Sequence, residues 1–405
     1  MAQALSHLRV LDLSRVLAGP WSGQLLADLG AEVIKVEKPG EGDDTRAWGP
    51  PFLKDKDGAD THESAYYLST NRGKRSLAID FTQPEGQELV RRLAARCDVV
   101  IENFKAGGLA KYGLDYPSLK AVKPDIVYCS ITGFGQDGPY AQRAGYDFLV
   151  QGMGGLMSLT GEPDGEPMKV GVALTDIFTG MYASVAILAA LAHRDRTGQG
   201  QHIDLALLDV QVAVLANQAS NYLVGGIVPQ RLGNSHPNIV PYQAFATSDG
   251  HVILAIGNDS QFQRFCTVAG CPALAEDPRF ATNAGRVRER ETLIALLRPI
   301  LAARPMAEWI EVLEVAGVPC GPINTLAQVF DNPQVRHRGM VAGLDHPLAG
   351  RVDLVANPIH FSETPVTYDR APPLLGADSA GVLADILGLD PAAIADLRAK
   401  GILGG

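Results

Sequence analysis

Short, predominantly apolar runs of strand type, separated by helical patterns, constrain the first half of this chain more than any other feature. "LRVLDL" (Leu8 to Leu13) reads as a buried strand, "GPWSGQLLADLG" as a short helix and "AEVIKVE" (Ala31 to Glu37) as the next strand. "SLAIDF" (Ser76 to Phe81) is followed by the helical pattern "PEGQELVRRLAARC", whose Pro84 suits a first helical turn. "DVVIEN" (Asp98 to Asn103) and "IVYCSITGF" (Ile126 to Phe134) are further strands. Strands that are predominantly apolar have both faces covered, so the expected fold class is α/β, a Rossmann-like, mainly parallel sheet. Ligands of such sheets sit beyond the carboxyl ends of the strands. Here those ends carry "SRVLAGP", "EKPGEGD", "ENFKAGG" and "TGFGQDGPY".

The rest of the chain reads differently. A long Ala-rich helix follows Asp176, and then comes "HIDLALLD". A Gly-, Pro-, Asn- and His-rich connection spans about 225 to 250, and a second strand-and-helix unit runs to about 330. The expected organisation is a large domain over 1–200, completed by about 331–405, a linker helix over 201–224, and a smaller α+β domain over 225–330. The segment 331–405 is read as a return linker closed by two short helices split by Pro391.

Composition narrows the function classes. A net charge of −10 over 405 residues argues against a nucleic-acid partner, which needs a concentrated basic surface. The five cysteines are scattered without CxxC pairs, and the nine histidines show no HExxH spacing. Free thiols, a cytoplasmic location and no metal are therefore expected. The N-terminus lacks a basic region followed by an apolar core, and no run reaches the length of a membrane span, so neither a signal peptide nor a membrane partner is expected.

Three features could carry chemistry. "LAGPWSG" follows a strand, but it lacks GxGxxG spacing, so no nicotinamide or flavin is expected. "NRGKRS" sets Arg72, Lys74 and Arg75 around Gly73, which suits a phosphate or, equally, a solvated turn. Asp176 stands as the lone acid of "KVGVALTDIFTGMYA", where a helix begins. Thr175 or Asp176 reads as the N-cap. The helix terminus would hold that carboxylate ionised, as a nucleophile for acyl transfer must be. Capping and chemistry are compatible, and the residues alone do not choose.

Taken together, "LRVLDLSRVLAGPWSGQLLADLGAEVIKVEKPGEGDDTR", "NRGKRSLAIDF", "DVVIENF", "TGFGQDGPYAQRAGYD", "TDIFTG" and "GQGQHIDLALLD", in this order, resemble the family III CoA-transferases, the formyl-CoA transferase and CaiB/BaiF group. "GDDTRAWGPPF" and "LGNSHPNIVPYQAF" look most like the branch that uses succinyl-CoA and dicarboxylates such as glutarate. The resemblance implies coenzyme A or acyl-CoA as substrate, a free carboxylic acid as acceptor and an interlocked homodimer. It implies Asp176 as nucleophile, passing through a mixed anhydride and an aspartyl-CoA thioester. It places Arg72, Lys74 and Arg75 at the CoA nucleotide, Asn103, Phe104 and Lys111 in a second CoA-contacting segment, and Lys38 near the adenine. It sets Val16, Leu17 and Ala18 by the thioester and counts Arg143, Tyr146 and Asp147 among the CoA-binding residues, with Tyr146 and Asp147 near the site as positioning groups. The glycine run of formyl-CoA transferases is missing from "RLGNSHPNIVPYQ", where Arg231, Asn234 and His236, together with Arg46, are candidates for a distal carboxylate.

Two rivals follow from the same resemblance: an α-methylacyl-CoA racemase and a non-catalytic acyl-CoA-binding protein. The racemase motif has histidine where this chain has Tyr146 in "AGYD", and a phenol is a poor base at neutral pH. Incubation with a single (R)-2-methylacyl-CoA in D2O, without an acceptor acid, is therefore expected to leave the α-carbon free of deuterium by mass spectrometry.

Overall fold

Six parallel strands form the central sheet of the computed structural model, which describes residues 3–405. They are β1 (Arg9–Asp12), β2 (Glu32–Glu37), β3 (Lys74–Ala78), β4 (Val99–Glu102), β5 (Val127–Thr132) and β6 (His202–Ala206), in the order β3-β2-β1-β4-β5-β6. Every pairing is parallel; Leu11, for example, lies beside Ile34 and Val100. The strand order reverses between β1 and β4, which opens a crevice at their carboxyl ends.

The apolar runs are explained by a core on each face. Leu11, Ile34, Leu77 and Val100 belong to one cluster, closed by the helix Pro84–Ala94 and the C-terminal helices Ser379–Leu387 and Pro391–Ala399. Their neighbours Val10, Val33, Val99 and Ile101 belong to the other. That second face is covered by α1 (Ala18–Asp28) and by the long α2 (Leu174–Thr197), through Ala183, Ile187, Ala190 and Leu191. Successive strand residues point to opposite faces, so a doubly covered strand is predominantly apolar, and the polar residues it buries, such as Lys35 and Lys74, need partners.

The chain divides into two units: one contains residues up to Leu156, Val170–Ala219 and Gln334–Gly405, the other Met157–Lys169 and Ser220–Pro333. The second unit therefore takes a short segment from within the first half, which composition does not reveal. It holds the antiparallel strands Tyr242–Ala246, His251–Ala255 and Cys320–Pro322 against a core of Phe262, Phe265, Leu297 and Trp309. The expected linker helix over 201–224 is corrected. Its first residues, His202–Ala206, are the sixth strand of the sheet, and the helices Leu207–Ala213 and Ala216–Gly225 follow. All five cysteines are free.

Helix α2 also qualifies the expectation that no segment is of membrane length. An 18-residue window within it has a mean hydropathy of 1.6, long and apolar enough to cross a membrane by composition. The reason is that it is apolar on two sides. One side lies on the sheet, and Phe178, Met181, Tyr182, Val185 and Leu188 form an exposed stripe on the other.

Close approach of α1 to α2 depends on Gly180. A Cβ there would lie 2.6 Å from the carbonyl oxygen of Ala18 and 3.0 Å from Trp21 Cβ. Replacing glycine by alanine inside a helix ordinarily stabilises by about 0.5–1 kcal/mol. Here the backbone must move, so Gly180→Ala is expected to destabilise by ~1–3 kcal/mol in urea unfolding, with the sign deciding the matter.

Candidate active site

The crevice at the strand ends becomes a site because a buried set of charges fixes the loop after β1. Lys35 and Asp43 pair at 2.8 Å with both side chains fully buried. Asp12 and Lys74 pair at 2.9 Å, also fully buried. Burial pushes the Asp43 carboxyl up, but Lys35 and the Thr45 donors outweigh it and hold it at about 2. This ionised set grips the backbone of residues 14–16. Lys35 Nζ donates to the Ser14 carbonyl at 2.9 Å, Ser14 N–H donates to Asp12, and Val16 N–H donates to Asp43. Asn103, just past β4, accepts from Arg15 N–H at 2.8 Å and donates to the Arg15 carbonyl at 2.6 Å. Val16 is thereby held at φ +73, a conformation that a β-branched residue adopts only under external constraint.

Beside this loop lies a cleft of about 240 Å³ lined by Val16, Leu17, Ala18, Asn103, Phe104, Arg143, Tyr146 and Asp176. It collects residues that follow β1, β4, β5 and β6. The segment bearing Arg143, Tyr146 and Asp147 can lie on the strand ends because two glycines meet there. A Cβ on Gly133 would come 2.6 Å from the Cα of Gly145.

Asp176 lies in the first turn of α2, and the cap differs from the sequence expectation. The N-cap position is Ala173, and it makes no side-chain cap. The carboxylate of Asp147 does this work from another element, accepting from Thr175 N–H at 2.8 Å and Asp176 N–H at 3.3 Å. Asp147 is itself oriented by Gln151, which donates at 2.6 Å. The expectation that the helix terminus holds Asp176 ionised is thus corrected. Burial first, and then the like charge of Asp147, push the Asp176 carboxyl up to about 7. Tyr66 is a neighbour that sequence reasoning missed. Burial, then the charges of Asp176, Asp147 and Asp43, push its phenol up to about 12, so it remains a hydrogen-bond donor.

A second, larger cleft of about 450 Å³ is lined by Lys38, Asp80, Phe81, Lys111 and Tyr112. Arg15, Phe104 and Lys105 line both clefts. Phe104 is placed by its N–H, which donates to the buried Glu102 at 2.8 Å. Arg15 and Lys105 were not singled out from sequence, although each stands in a strand-end loop that was.

Other predicted residues are engaged in the fold. Arg72, 4% exposed, makes a paired contact with Asp28 at 2.8 and 2.6 Å and lines a separate cavity with Gly73 and Tyr368. Lys74, 1% exposed, is bound by Asp12, the Pro20 carbonyl and Asn71. Arg75 pairs with Glu32 and Asp385. The expected phosphate cluster is therefore corrected: burying a cation requires a counter-charge, and these three have theirs. Arg46 is likewise buried between Glu37 and Glu63, with its guanidinium 3.7 Å from the Tyr67 ring, so it offers nothing to a substrate carboxylate. Arg231, Asn234 and His236 lie in the second unit. There Arg231 donates to the carbonyls of Glu162, Pro163 and Gly165, His236 packs on Tyr242, and Asn234 is exposed.

A buried carboxylate raised towards neutrality, in a cleft that shares its wall with a larger one bearing cations, is an arrangement that acyl transfer can use. The comparisons identify the class. The model of CoA-transferase family III matches residues 5–379. A succinate–glutarate CoA-transferase of Agrobacterium fabrum is 55% identical over 382 residues, covering 94% of this chain and 95% of that protein. The human succinyl-CoA:glutarate CoA-transferase is 44% identical, covering 98% and 90%. The crystal structure of a CAIB/BAIF family protein from Brucella suis is 54% identical, with a TM-score of 0.84 over 95% of this chain and all of that one. A protein from Mycobacterium tuberculosis, 32% identical, matches with a TM-score of 0.82 over 94% and 98%. The chain belongs to CoA-transferase family III and is a CoA-transferase.

The raised Asp176 predicts a pH dependence. The nucleophile role expected of Asp176 requires the ionised form, so activity is expected to rise with pH through about 7. Asp147→Asn keeps an oxygen for the cap but removes the like charge. It is expected to move the acid limb of the rate profile to lower pH, though not to that of a free carboxyl, because burial remains. A carboxyl raised on folding favours the folded state while protonated, and this contribution is lost as pH rises through the folded value. Asp176→Asn is accordingly expected to be more stable than the wild type on the alkaline side of 7, and thermal melts across pH check this.

Proposed function

We propose that the protein moves CoA from succinyl-CoA to a free dicarboxylic acid, glutarate being the expected acceptor, by covalent catalysis at Asp176. The observation that carries this is the position of Asp176, in a cleft that shares Arg15, Phe104 and Lys105 with the larger one. The relatives named above supply the donor and acceptor classes. The larger cleft suits the nucleotide end of CoA, with Lys105 and Lys111 available to phosphates, Lys38 and Arg15 beside them in exposed pairs with Glu41 and Asp44 that a phosphate would have to compete with, and Phe81, Phe104 and Tyr112 for the base. Val16, Leu17, Ala18 and Asn103 flank the narrow cleft through which the thioester arm would reach Asp176. Binding energy gained at the nucleotide then positions a distant thioester.

The chemistry balances without an external energy source. An ionised Asp176 oxygen attacks the thioester carbonyl; the C–S bond breaks, leaving CoA thiolate and a mixed anhydride. The thiolate attacks the aspartyl carbonyl, releasing succinate and forming an aspartyl-CoA thioester. The acceptor carboxylate attacks that thioester, giving a second anhydride and thiolate again. The thiolate then attacks the acceptor's carbonyl, yielding the new acyl-CoA and restoring the Asp176 carboxylate. Each tetrahedral oxyanion needs N–H donors. The N–H groups of Leu17, Ala18 and Gly19, at the start of α1, have no acceptor among the described residues, and Leu17 and Ala18 line the cleft.

The exposed stripe on α2, from Phe178 to Leu188, supports a homodimer in which a second copy covers it. The interlocked form expected of the family is proposed on the same ground.

The test is exchange between succinyl-CoA and free glutarate, with oxalate, mesaconate and carnitine as competitors and the acyl-CoA products read by mass spectrometry. Asp176→Ala is expected to lose exchange while still binding CoA. In the wild type, hydroxylamine is expected to trap an adduct on Asp176. Exchange at an undiminished rate in a folded Asp176→Ala protein would overturn the assignment.

A further inference from the structure

Most cations near this site are already neutralised. Lys35, Arg46, Arg72, Lys74 and Arg75 each carry an ion pair within the fold. Three cations line the cleft that holds Asp176: Arg15, Lys105 and Arg143. Arg15 pairs with Asp44 at 2.8 Å, and both Arg15 and Lys105 also line the larger cleft. Arg143 does neither. Among the described residues it has no carboxylate partner, and it borders only the cleft of Asp176.

Its setting is nonetheless built. The guanidinium carbon lies 4.7 Å from the Tyr140 ring centre and 5.3 Å from that of Phe134, and the two rings pack edge to face at 5.7 Å. Arg143 N–H donates to the Tyr140 carbonyl at 2.9 Å, closing a turn that fixes where the side chain starts. Among the described residues, the one polar contact of the guanidinium is a 3.9 Å approach to Met153 Sδ. Aromatic rings take the faces of a planar guanidinium and leave its in-plane N–H donors free. A fork of donors held by rings fits the two oxygens of a carboxylate.

Building on the transferase reading above, we infer that Arg143 is the specificity residue that receives the distal carboxylate of the dicarboxylic acyl group and of its acceptor acid. The acyl carbon reacts at Asp176 while the far carboxylate pairs with Arg143. An acid lacking that second charge leaves the fork unpaired.

The experiment holds succinyl-CoA fixed as donor and compares kcat/KM for glutarate with that for glutaramate, which has the same length but a neutral distal amide. The donor half-reaction is common to both and cancels in the ratio. Exchange of wild type with glutarate tests the transferase reading itself; the inference is read from the ratio in the variants. Arg143→Gln is expected to lower the glutarate-to-glutaramate ratio roughly ten- to a hundredfold, the size of a lost charge-assisted bond. Arg143→Lys should recover part of it, because the charge remains while the planar fork is gone. Tyr140→Leu, which removes a ring beneath the guanidinium, should lower the ratio less than Arg143→Gln does. The affinity for free CoA, measured by calorimetry, should not follow the ratio. A wild-type ratio in a folded Arg143→Gln or Arg143→Lys protein overturns the inference. So does an equal fall for both acids together with weaker CoA binding, which would make Arg143 a CoA contact.

Discussion

The buried pairs Lys35–Asp43 and Asp12–Lys74 are the constraint on which the site depends. Four buried charges gathered around Asp12, the last residue of β1, would be a liability in an apolar sheet, because ion pairs of this kind gain little net stability over hydrophobic packing. What they provide is geometry. Their hydrogen bonds end on the backbone of Ser14 and Val16, and Val16 is kept in a conformation that it would not choose. The loop leads straight into the N-terminus of α1, whose Ala18 carbonyl touches α2 one turn beyond Asp176. The ionic set therefore fixes the spacing between two helix termini, and the cleft is the space between them.

The topology explains why the two clefts meet. The strand order reverses at β1 and β4, so the loops after these strands diverge and leave room between them. Arg15 comes from one loop, and Phe104 and Lys105 from the other, and these residues form the wall common to both clefts. Asn103 ties the loops together through the Arg15 peptide. The CoA proposed for this site, with a charged nucleotide end and a long thin arm, suits a larger cleft beside a smaller one.

Much of this was legible in the sequence, and the part that was not has a physical reason. Strands such as "LRVLDL" and "DVVIEN" show because burial on two faces leaves a continuous apolar signal. Asp176 shows because an acid in apolar surroundings needs an explanation. Partners do not show. Arg72 reads as a free cation until the fold brings Asp28 beside it from α1, and Arg46 until Glu37 and Glu63 converge on it. The donor of the helix cap is hidden for the same reason, since Asp147 reaches Thr175 from 28 positions away. The strand His202–Ala206 was read as part of a linker because a helix follows it with no intervening turn residue, so local composition gives no boundary.

The placement of Asp147 also decides what kind of carboxylate Asp176 is. Had Asp176 capped its own helix, N–H donors would stabilise the ionised form and make it a weak base and a poor nucleophile. With Asp147 on those donors, Asp176 loses that stabilisation and gains a like charge in a partly desolvated cleft. Each unit by which its pKa rises is worth ~1.4 kcal/mol of differential interaction between the two protonation states. The carboxylate still ionises near neutrality but is more basic, and so more reactive towards a thioester. The same rise destabilises the free carboxylate relative to the anhydride, which makes forming the anhydride from a thioester less uphill. A single acid moved from the helix to its neighbour thus converts a structural cap into a reactive group, without adding any residue to the cleft.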